Sequence, residues 1–119
     1  MTDLEHLTGP VVLRLPAEID MTNAERVGGE LCSAFTRGAT VVIADLTSTV
    51  FCDCAGARQF VLAHSYADAH DAQIRFVIPD RTMLRVLTLT DLGQLLSIYP
   101  SLDAAVSARP ALAGDAALG

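Results

Sequence analysis

Apolar positions along the chain follow two different spacings. Short, almost continuous apolar runs, typical of buried strands, occupy residues 11–15, 41–46 and 74–78, and a shorter extended piece follows at 95–99. Between these runs, apolar residues recur every three or four positions, as on the buried side of a helix: Ala24, Val27, Leu31 and Phe35, then Ala57, Phe60, Val61 and Ala67. Strands that alternate with helices predict an α/β domain, and the continuous run 41–46 predicts its central strand.

Residues that commonly begin or end helices stand at the boundaries of these segments. Thr22 and Glu25 have the spacing of a capping box, which predicts that the first helix begins there. Three further residues are predicted to cap helices. Gly38 suits the end of this first helix, and Asp80 and Ser101 suit the beginnings of two later ones. Gly28 and Gly29 lie inside the first helix, where each glycine costs about 1 kcal/mol relative to alanine, so we expect close packing on the sheet there.

Residues 51–56, Phe-Cys-Asp-Cys-Ala-Gly, form a junction between the central strand region and the second long helix. Asp53 stands at the N-cap position, where its carboxylate can accept the first free backbone N–H groups. Cys54 falls in the first turn, where the macrodipole favours negative charge, and Gly56 permits a close approach to the backbone. We therefore expect the functional site at this junction.

Four segments, in the right order, resemble the STAS domain of the anti-sigma-factor antagonists. Residues 45–56 resemble its loop, which ends a strand with Asp-Leu and opens a helix with Asp-Ser-Ser/Thr-Gly; Asp53 and Gly56 match that motif. Three further segments resemble the family's Gly-Glu-Leu-Asp motif and its C-terminal pattern: residues 17–20, 89–96 and 99–105. The resemblance implies an α/β fold with a small mixed sheet of about four to five strands and about four helices packed mainly on one face.

The resemblance covers residues 10–108 and implies one domain there. A chain of 119 residues has the length of a single domain, and its 51% hydrophobic content is enough for a core. We expect residues 1–9 to be a flexible lead-in and the Ala/Gly-rich residues 109–119 to fray.

In the resembled family, a partner kinase phosphorylates the first serine of the loop motif. The phosphate adds about −2 charge and releases that partner, an anti-sigma factor with a serine-kinase fold that otherwise holds a sigma factor. The resemblance therefore implies a regulatory protein-binding module with no catalytic activity and no cofactor. It places the partner-binding residues in the loop after the first strand and in the junction: Glu18, Asp20, Met21, Asp53, Cys54, Ala55 and Gly56.

The junction departs from the family motif at its phosphorylated position. Cys54 occupies the place of the serine, and Ala55 stands beside it. A cysteine cannot take phosphate from an ordinary serine kinase, so the domain either binds its partner permanently or has left the switch. Three nearby hydroxyls are alternative acceptors, although hydroxyls are common in turns anyway: Thr47, Ser48 and Thr49.

Cys54 also admits other interpretations. A thiol at a helix N-terminus suits a redox sensor, but the charge of Asp53 beside it opposes thiolate formation, and a small residue filling a serine-shaped position is the favoured alternative. A cysteine nucleophile would need a base, for which the sequence offers His64 and His70, and hydrolase and phosphoryl-transfer motifs are missing. We expect no enzyme; a scaffold STAS subunit of a signalling or transport complex stays open.

A metal site at the junction has little support. Cys52 and Cys54 would be only two ligands where zinc takes about four, and His64 and His70 are six positions apart on a helix and face differently. Cys52 and Cys32 are better explained as core residues, so we expect no metal.

The charge of the chain limits its partners. The net charge is −6, and all eight basic residues are arginines, which excludes lysine chemistry and argues against nucleic acid. An acidic domain suits a protein partner with a basic face, although the charge could also serve solubility alone. No segment approaches the ~20 apolar residues of a membrane span, and the acidic N-terminus lacks signal-peptide features, so we expect a cytoplasmic protein; a homodimer stays open.

Overall fold

The computed structural model describes residues 9–88 and 93–108. Its strands are β1 (Val11–Arg14), β2 (Glu18–Ile19), β3 (Val41–Asp45), β4 (Phe51–Cys52), β5 (Gln73–Val77) and β6 (Ser97–Tyr99). Its helices are α1 (Ala24–Thr36), α2 (Cys54–Ala69), α3 (Arg81–Thr88) and α4 (Leu102–Ser107), with a 3-10 turn at Gly93–Leu95. Within these ranges, none of the helices combines the length and the apolar character needed to cross a membrane. The expectations for residues 1–8, 89–92 and 109–119 lie outside the described residues.

β3 lies inside a four-stranded sheet whose order is β1-β3-β5-β6. Each pairing among these strands is parallel, with Val12 opposite Ile43, Ile43 opposite Arg75, and Phe76 opposite Ile98. Parallel neighbours need crossover connections, which α1, α2 and α3 provide in turn. The predicted α/β domain with four helices and a central strand at 41–46 is confirmed.

Side chains on the central strands alternate between two cores. Val42 and Ala44 face the larger core, which α1, α2 and α3 cover, whereas Ile43 packs with Ala105 of α4 in a smaller cluster. In the larger core, the ring centroids of Phe60 and Phe76 lie 4.9 Å apart. The helices therefore pack mainly on one face, as expected, with α4 on the other.

Gly28 lies where α1 meets α2. A Cβ atom at Gly28 would come within 2.0 Å of Oε1 of Gln59 on α2, whereas one at Gly29 would meet nothing within 4 Å. The expectation that this pair packs closely on the sheet is wrong, because Gly28 faces Gln59 of α2 and Gly29 is exposed. Gly28 instead permits a close contact between two helices.

The predicted caps of three helices are confirmed. Gly38 follows α1 with a φ of 109°, the left-handed conformation that glycine adopts readily. Asp80 accepts a hydrogen bond from the N–H of Thr82 at 2.8 Å, at the start of α3. Ser101 Oγ accepts one from the N–H of Ala104 at 3.1 Å, at the start of α4. Local side-chain chemistry therefore determines where these helices begin or end.

Candidate functional site

Two short strands that the sequence pattern did not reveal, β2 and β4, form a separate parallel pair. Glu18 lies opposite Phe51, and Ile19 lies opposite Cys52. The N–H of Asp53 donates to the carbonyl of Ile19 at 3.0 Å, which extends the pairing to the start of α2. The loop after β1 and the junction therefore lie side by side.

The segments on either side of β2 and β4 are joined as well. The N–H of Val50 donates to the carbonyl of Ala17 at 2.7 Å, and the buried hydroxyl of Thr49 donates to the carbonyl of Pro16 at 2.8 Å. Two-residue strands are too short to show the alternation that predicts a strand. The pairing depends on these tertiary hydrogen bonds, which explains why the sequence indicated only a connection.

Asp53 caps α2, as predicted. Its Oδ1 accepts hydrogen bonds from the N–H groups of Ala55 at 2.9 Å and Gly56 at 3.2 Å. The carboxylate therefore satisfies two of the backbone donors that a helix N-terminus leaves free. Its negative charge also lies at the positive end of the helix dipole, which is favourable. Asp53 therefore determines where α2 begins, with Cys54 as its first residue.

Gly56 allows α2 to begin directly against the β2–β4 pair. A Cβ atom there would lie 2.6 Å from Sγ of Cys52 and 2.7 Å from Cγ2 of Ile19, distances that real Cβ contacts do not reach. The prediction that something approaches the backbone at Gly56 is confirmed, and the approaching groups are the protein's own strands.

The two junction cysteines have different environments. Cys52 is partly buried and packs against the large core, and its Sγ lies 3.6 Å from the carbonyl oxygen of Asp53. Burial, followed by the charges of Asp53 and Cys54, raises the pKa of the Cys52 thiol to about 12. Cys54 is exposed. Of these two thiols, Cys54 is therefore the one more accessible to a partner or a reagent.

An open cleft of about 350 Å³ lies between the first turns of α1 and α2. It brings together three of the predicted site residues, Met21, Cys54 and Ala55. Ala24, Glu25, Arg58 and Gln59 also line it. Glu25, Arg58 and Gln59 were not predicted as site residues, because nothing in the sequence indicates that the first turns of α1 and α2 meet.

The loop before α1 differs from the predicted capping box. Asn23, not Thr22, occupies the N-cap position, and its side chain makes no cap hydrogen bond. Instead Nδ2 of Asn23 donates to the carbonyl of Glu18 at 2.8 Å, while its Oδ1 accepts from the N–H of Asp20 at 2.9 Å. The capping-box prediction is wrong because the hydroxyl of Thr22 donates to the carboxylate of Asp20 and does not accept a hydrogen bond from an N–H of the helix.

Hydrogen bonds within that same turn stabilise the charged form of Asp20. Its carboxylate accepts from the hydroxyl and, at 2.9 Å, from the N–H of Thr22. The hydroxyl bond first, and then the backbone bond, lower the pKa of Asp20 below its ordinary value. Asp20 therefore carries a charge at neutral pH in the loop that β2 brings beside the junction.

The three hydroxyls before the junction are not equivalent. Thr47 donates its hydroxyl to the buried carboxylate of Asp45, and Thr49 is 3% exposed and bonded to Pro16. Ser48, between them, is exposed. Thr47 is exposed as well, although its hydroxyl is bonded to Asp45, so of the three proposed alternative acceptors only Thr49 is closed to a kinase.

Both candidate histidines interact on their own helix. Nε2 of His64 lies 3.7 Å from Oδ2 of Asp68, and Nδ1 of His70 lies 2.8 Å from the carbonyl oxygen of Tyr66. His64 follows Cys54 by ten residues of continuous helix, or roughly 15 Å along the axis at the usual rise per residue. This spacing does not suit a cysteine–histidine pair. Among the described residues, no group of three His, Cys, Asp or Glu side chains is placed to hold a metal ion.

The structure adds one residue to the predicted site, Val50, and shows that Phe51, the first residue of the predicted junction, is exposed as well. Val50 is 72% exposed and Phe51 is 51% exposed, immediately before the junction turns into α2. Met21, which the family resemblance included, is 79% exposed on the neighbouring loop. The sequence does not reveal this exposure, because neither residue belongs to a periodic pattern that indicates which side faces solvent.

Comparison with known proteins identifies solved structures with the same fold. The chain matches an anti-sigma factor antagonist from Mycobacterium paratuberculosis with 21% identity over 87% of each chain and a TM-score of 0.76. It matches unphosphorylated SpoIIAA, an anti-sigma factor antagonist, with 22% identity over 83% of this chain and 87% of that one, at a TM-score of 0.66. The phosphorylated form of SpoIIAA, a Bacillus cell fate determinant, matches with 23% identity over 83% and 90%, at a TM-score of 0.61.

These structural matches are below 25% identity and show a shared fold. A comparison with curated proteins gives no match. The sequence model of the STAS domain matches residues 1–105, which is most of the chain. The chain therefore belongs to the STAS domain family.

Proposed function

We propose that this chain is a regulatory protein-binding module that acts as an anti-sigma-factor antagonist. Its partner is an anti-sigma factor with a serine-kinase fold, and the contact is made by the loop after β1 together with the junction. The observation that carries the proposal is the β2–β4 pairing, which places Glu18, Asp20 and Met21 beside Asp53 and the start of α2. A chain of the STAS family thus presents both segments on one surface.

The charge of this surface fits such a partner. Glu18 is exposed, Asp20 carries charge at neutral pH, and Asp53 holds its carboxylate at the tip of α2. A partner with basic residues at its binding face would gain attraction and a faster association rate from these groups. The proposal involves no catalytic step and no cofactor, and it places the chain in the cytoplasm, where such a partner acts.

Cys54 makes the module permanently competent in this proposal. At the position proposed to match the family's serine, phosphate would add about −2 charge beside the carboxylate of Asp53 and would lose its water in the contact with the partner. The like-charge repulsion between the two groups and the cost of this desolvation would both weaken binding. The thiol of Cys54 is exposed but does not accept phosphate from a serine kinase. The partner would then be held until something other than phosphorylation of this residue releases it.

Titration calorimetry tests the proposal with each anti-sigma factor of serine-kinase fold encoded in the same genome. Wild type and Cys54→Ser are expected to bind one of them alike, whereas Cys54→Asp is expected to bind at least about tenfold more weakly, which corresponds to about 1.4 kcal/mol. Asp53→Asn is measured beside them: asparagine also caps helices but removes the charge, so weaker binding by this variant is expected if the Asp53 carboxylate attracts the partner. Absence of binding by wild type, or equal binding by Cys54→Asp, contradicts the proposal.

A thiol sensor is the second candidate, because Cys54 is exposed at the first residue of α2 and shares its cleft with Arg58. Iodoacetamide labelling of the native protein tests it, with Cys54→Ser to identify the site. Faster labelling than in the urea-unfolded chain supports a sensor, and labelling at the same rate or more slowly removes it. If both candidates fail, a scaffold subunit of a larger signalling or transport complex is the remaining interpretation.

A further inference from the structure

Two consecutive exposed apolar residues at β4, Val50 and Phe51, form what we define as the apolar patch. Met21 is exposed on the neighbouring loop, where it lines the cleft with Cys54 and Ala55. Within the described part of the chain, the exposed fraction is 79% for Met21, 72% for Val50 and 51% for Phe51. The other large exposed apolar residues are distributed singly over the remaining elements: Val12, Leu62, Val86, Leu95 and Val106. Clustered exposed apolar residues with a polar rim are typical of interaction sites, whereas single ones need no explanation.

The register of the pair explains why Phe51 faces outward. In paired strands, directly opposite residues project from the same face, so Glu18 and Phe51 share one face and Ile19 and Cys52 share the other. Ile19 and Cys52 pack against Gly56 on the inner side. Phe51 is therefore held outward by the backbone pairing rather than by a free rotation of its side chain.

Carboxylates surround this patch. Glu18 lies directly opposite Phe51, Asp20 follows β2, and Asp53 follows β4. A second copy of this chain would bring the same carboxylates together across a symmetric interface, which is unfavourable. Nucleic acid and anionic lipid surfaces are unfavourable for the same reason, because their phosphates are negative. The complementary surface is an apolar hollow with basic residues at its rim.

We propose that the patch is the hydrophobic anchor by which this chain docks onto a protein partner, with Phe51 and Val50 entering an apolar pocket rimmed by arginine or lysine. This inference rests on the proposed function for the class of partner, and it adds the residues that supply the binding energy. Aromatic side chains near the centre of an interface commonly dominate its affinity, while acidic groups at the rim mainly set the association rate.

Binding to the anti-sigma factor found by calorimetry is measured for Phe51→Ser, Val50→Ser and Leu62→Ser. Leu62, on α2, is 52% exposed, which matches the 51% of Phe51, so it controls for the loss of an exposed apolar side chain. We expect each patch variant to bind at least about tenfold more weakly and Leu62→Ser to stay within about twofold of wild type. Since Val50 is largely exposed, Val50→Ser tests the patch even if Phe51→Ser folds poorly.

Equal affinity of all three variants and wild type overturns the anchor while leaving the proposed function intact. If wild type binds no such factor, the proposed function fails, and a second experiment tests the patch separately. A photo-crosslinking residue is placed at position 50 of the full chain in cells, and the control carries it at position 62. The anchor is supported by a crosslink that forms at position 50 and not at position 62. This crosslink should map to a partner segment with basic residues beside apolar ones, and it should be lost in Glu18→Arg. Crosslinks equal at both positions, or only to a second copy of this chain, overturn it.

Discussion

Ile19 and Cys52 lie opposite one another in the β2–β4 pair, and both press on the same backbone position, Gly56. Cγ2 of Ile19 and Sγ of Cys52 are 2.7 and 2.6 Å from where a Cβ on Gly56 would stand. Two segments far apart in the chain, β2 and the junction, therefore meet at one point. The position of the junction relative to the loop after β1 depends on that contact.

Gly56→Ala is expected to destabilise the protein by about 2 kcal/mol, because overpacking of a tight contact typically costs 1–3 kcal/mol. Gly29→Ala is the matched control: its Cβ would meet nothing within 4 Å, so the better helix propensity of alanine should stabilise the protein by about 0.5–1 kcal/mol. Urea unfolding of both variants measures the difference. An unchanged midpoint for Gly56→Ala would show that the strands give way without cost.

Asp53→Ala is expected to destabilise the protein by about 1 kcal/mol, since two N–H groups of α2 lose their acceptor. Asp53→Ser should retain most of the stability because serine also caps helix N-termini. Thermal unfolding monitored by circular dichroism compares the two. Equal losses in both variants would mean that the charge of Asp53, rather than its hydrogen bonds, stabilises the start of α2.

The sequence was informative wherever a short segment determines its own structure. The apolar runs predicted β1, β3 and β5, and the cap residues Asp53, Asp80 and Ser101 predicted where α2, α3 and α4 begin. Each of these depends on periodicity or on a hydrogen bond within three residues. The family resemblance added the loop after β1 to the site, which periodicity alone could not do.

The errors arose where distant segments decide the outcome. Thr22 has the residue type and spacing of a cap, yet its hydroxyl bonds Asp20, because Asn23 ties the loop back to Glu18. Gly28 faces Gln59, thirty-one positions later in the chain, rather than the sheet. The outward orientation of Phe51, which no prediction addressed, also depends on a distant segment, because Phe51 pairs with Glu18 of β2.

Stability is expected to fall as the pH rises from about 9 toward 12, and Cys52 should contribute to this loss. The folded state holds the pKa of Cys52 at about 12, above the ordinary 9.0, so in this window the unfolded chain releases the thiol proton and the folded one retains it. Urea unfolding of wild type and Cys52→Ala at pH 8 and pH 10 measures the effect. The difference in stability between the two proteins should shrink at the higher pH, and Cys54→Ala serves as the exposed control; a constant difference contradicts the assignment.

Arg75→Met is expected to loosen α4 without unfolding the large core. Nη1 of the buried Arg75 side chain donates to the carbonyl of Ala105 at 2.7 Å, joining β5 to α4, whereas Nε has no hydrogen-bond partner among the described residues. The substitution leaves a buried carbonyl without its donor, at a cost of about 1–3 kcal/mol, but it also removes a buried charge whose desolvation is costly. Hydrogen exchange should therefore accelerate in Leu102–Ser107 while the amides of β3 keep their protection. Equal acceleration in both elements would show that the Arg75 bond supports the whole sheet rather than the docking of α4.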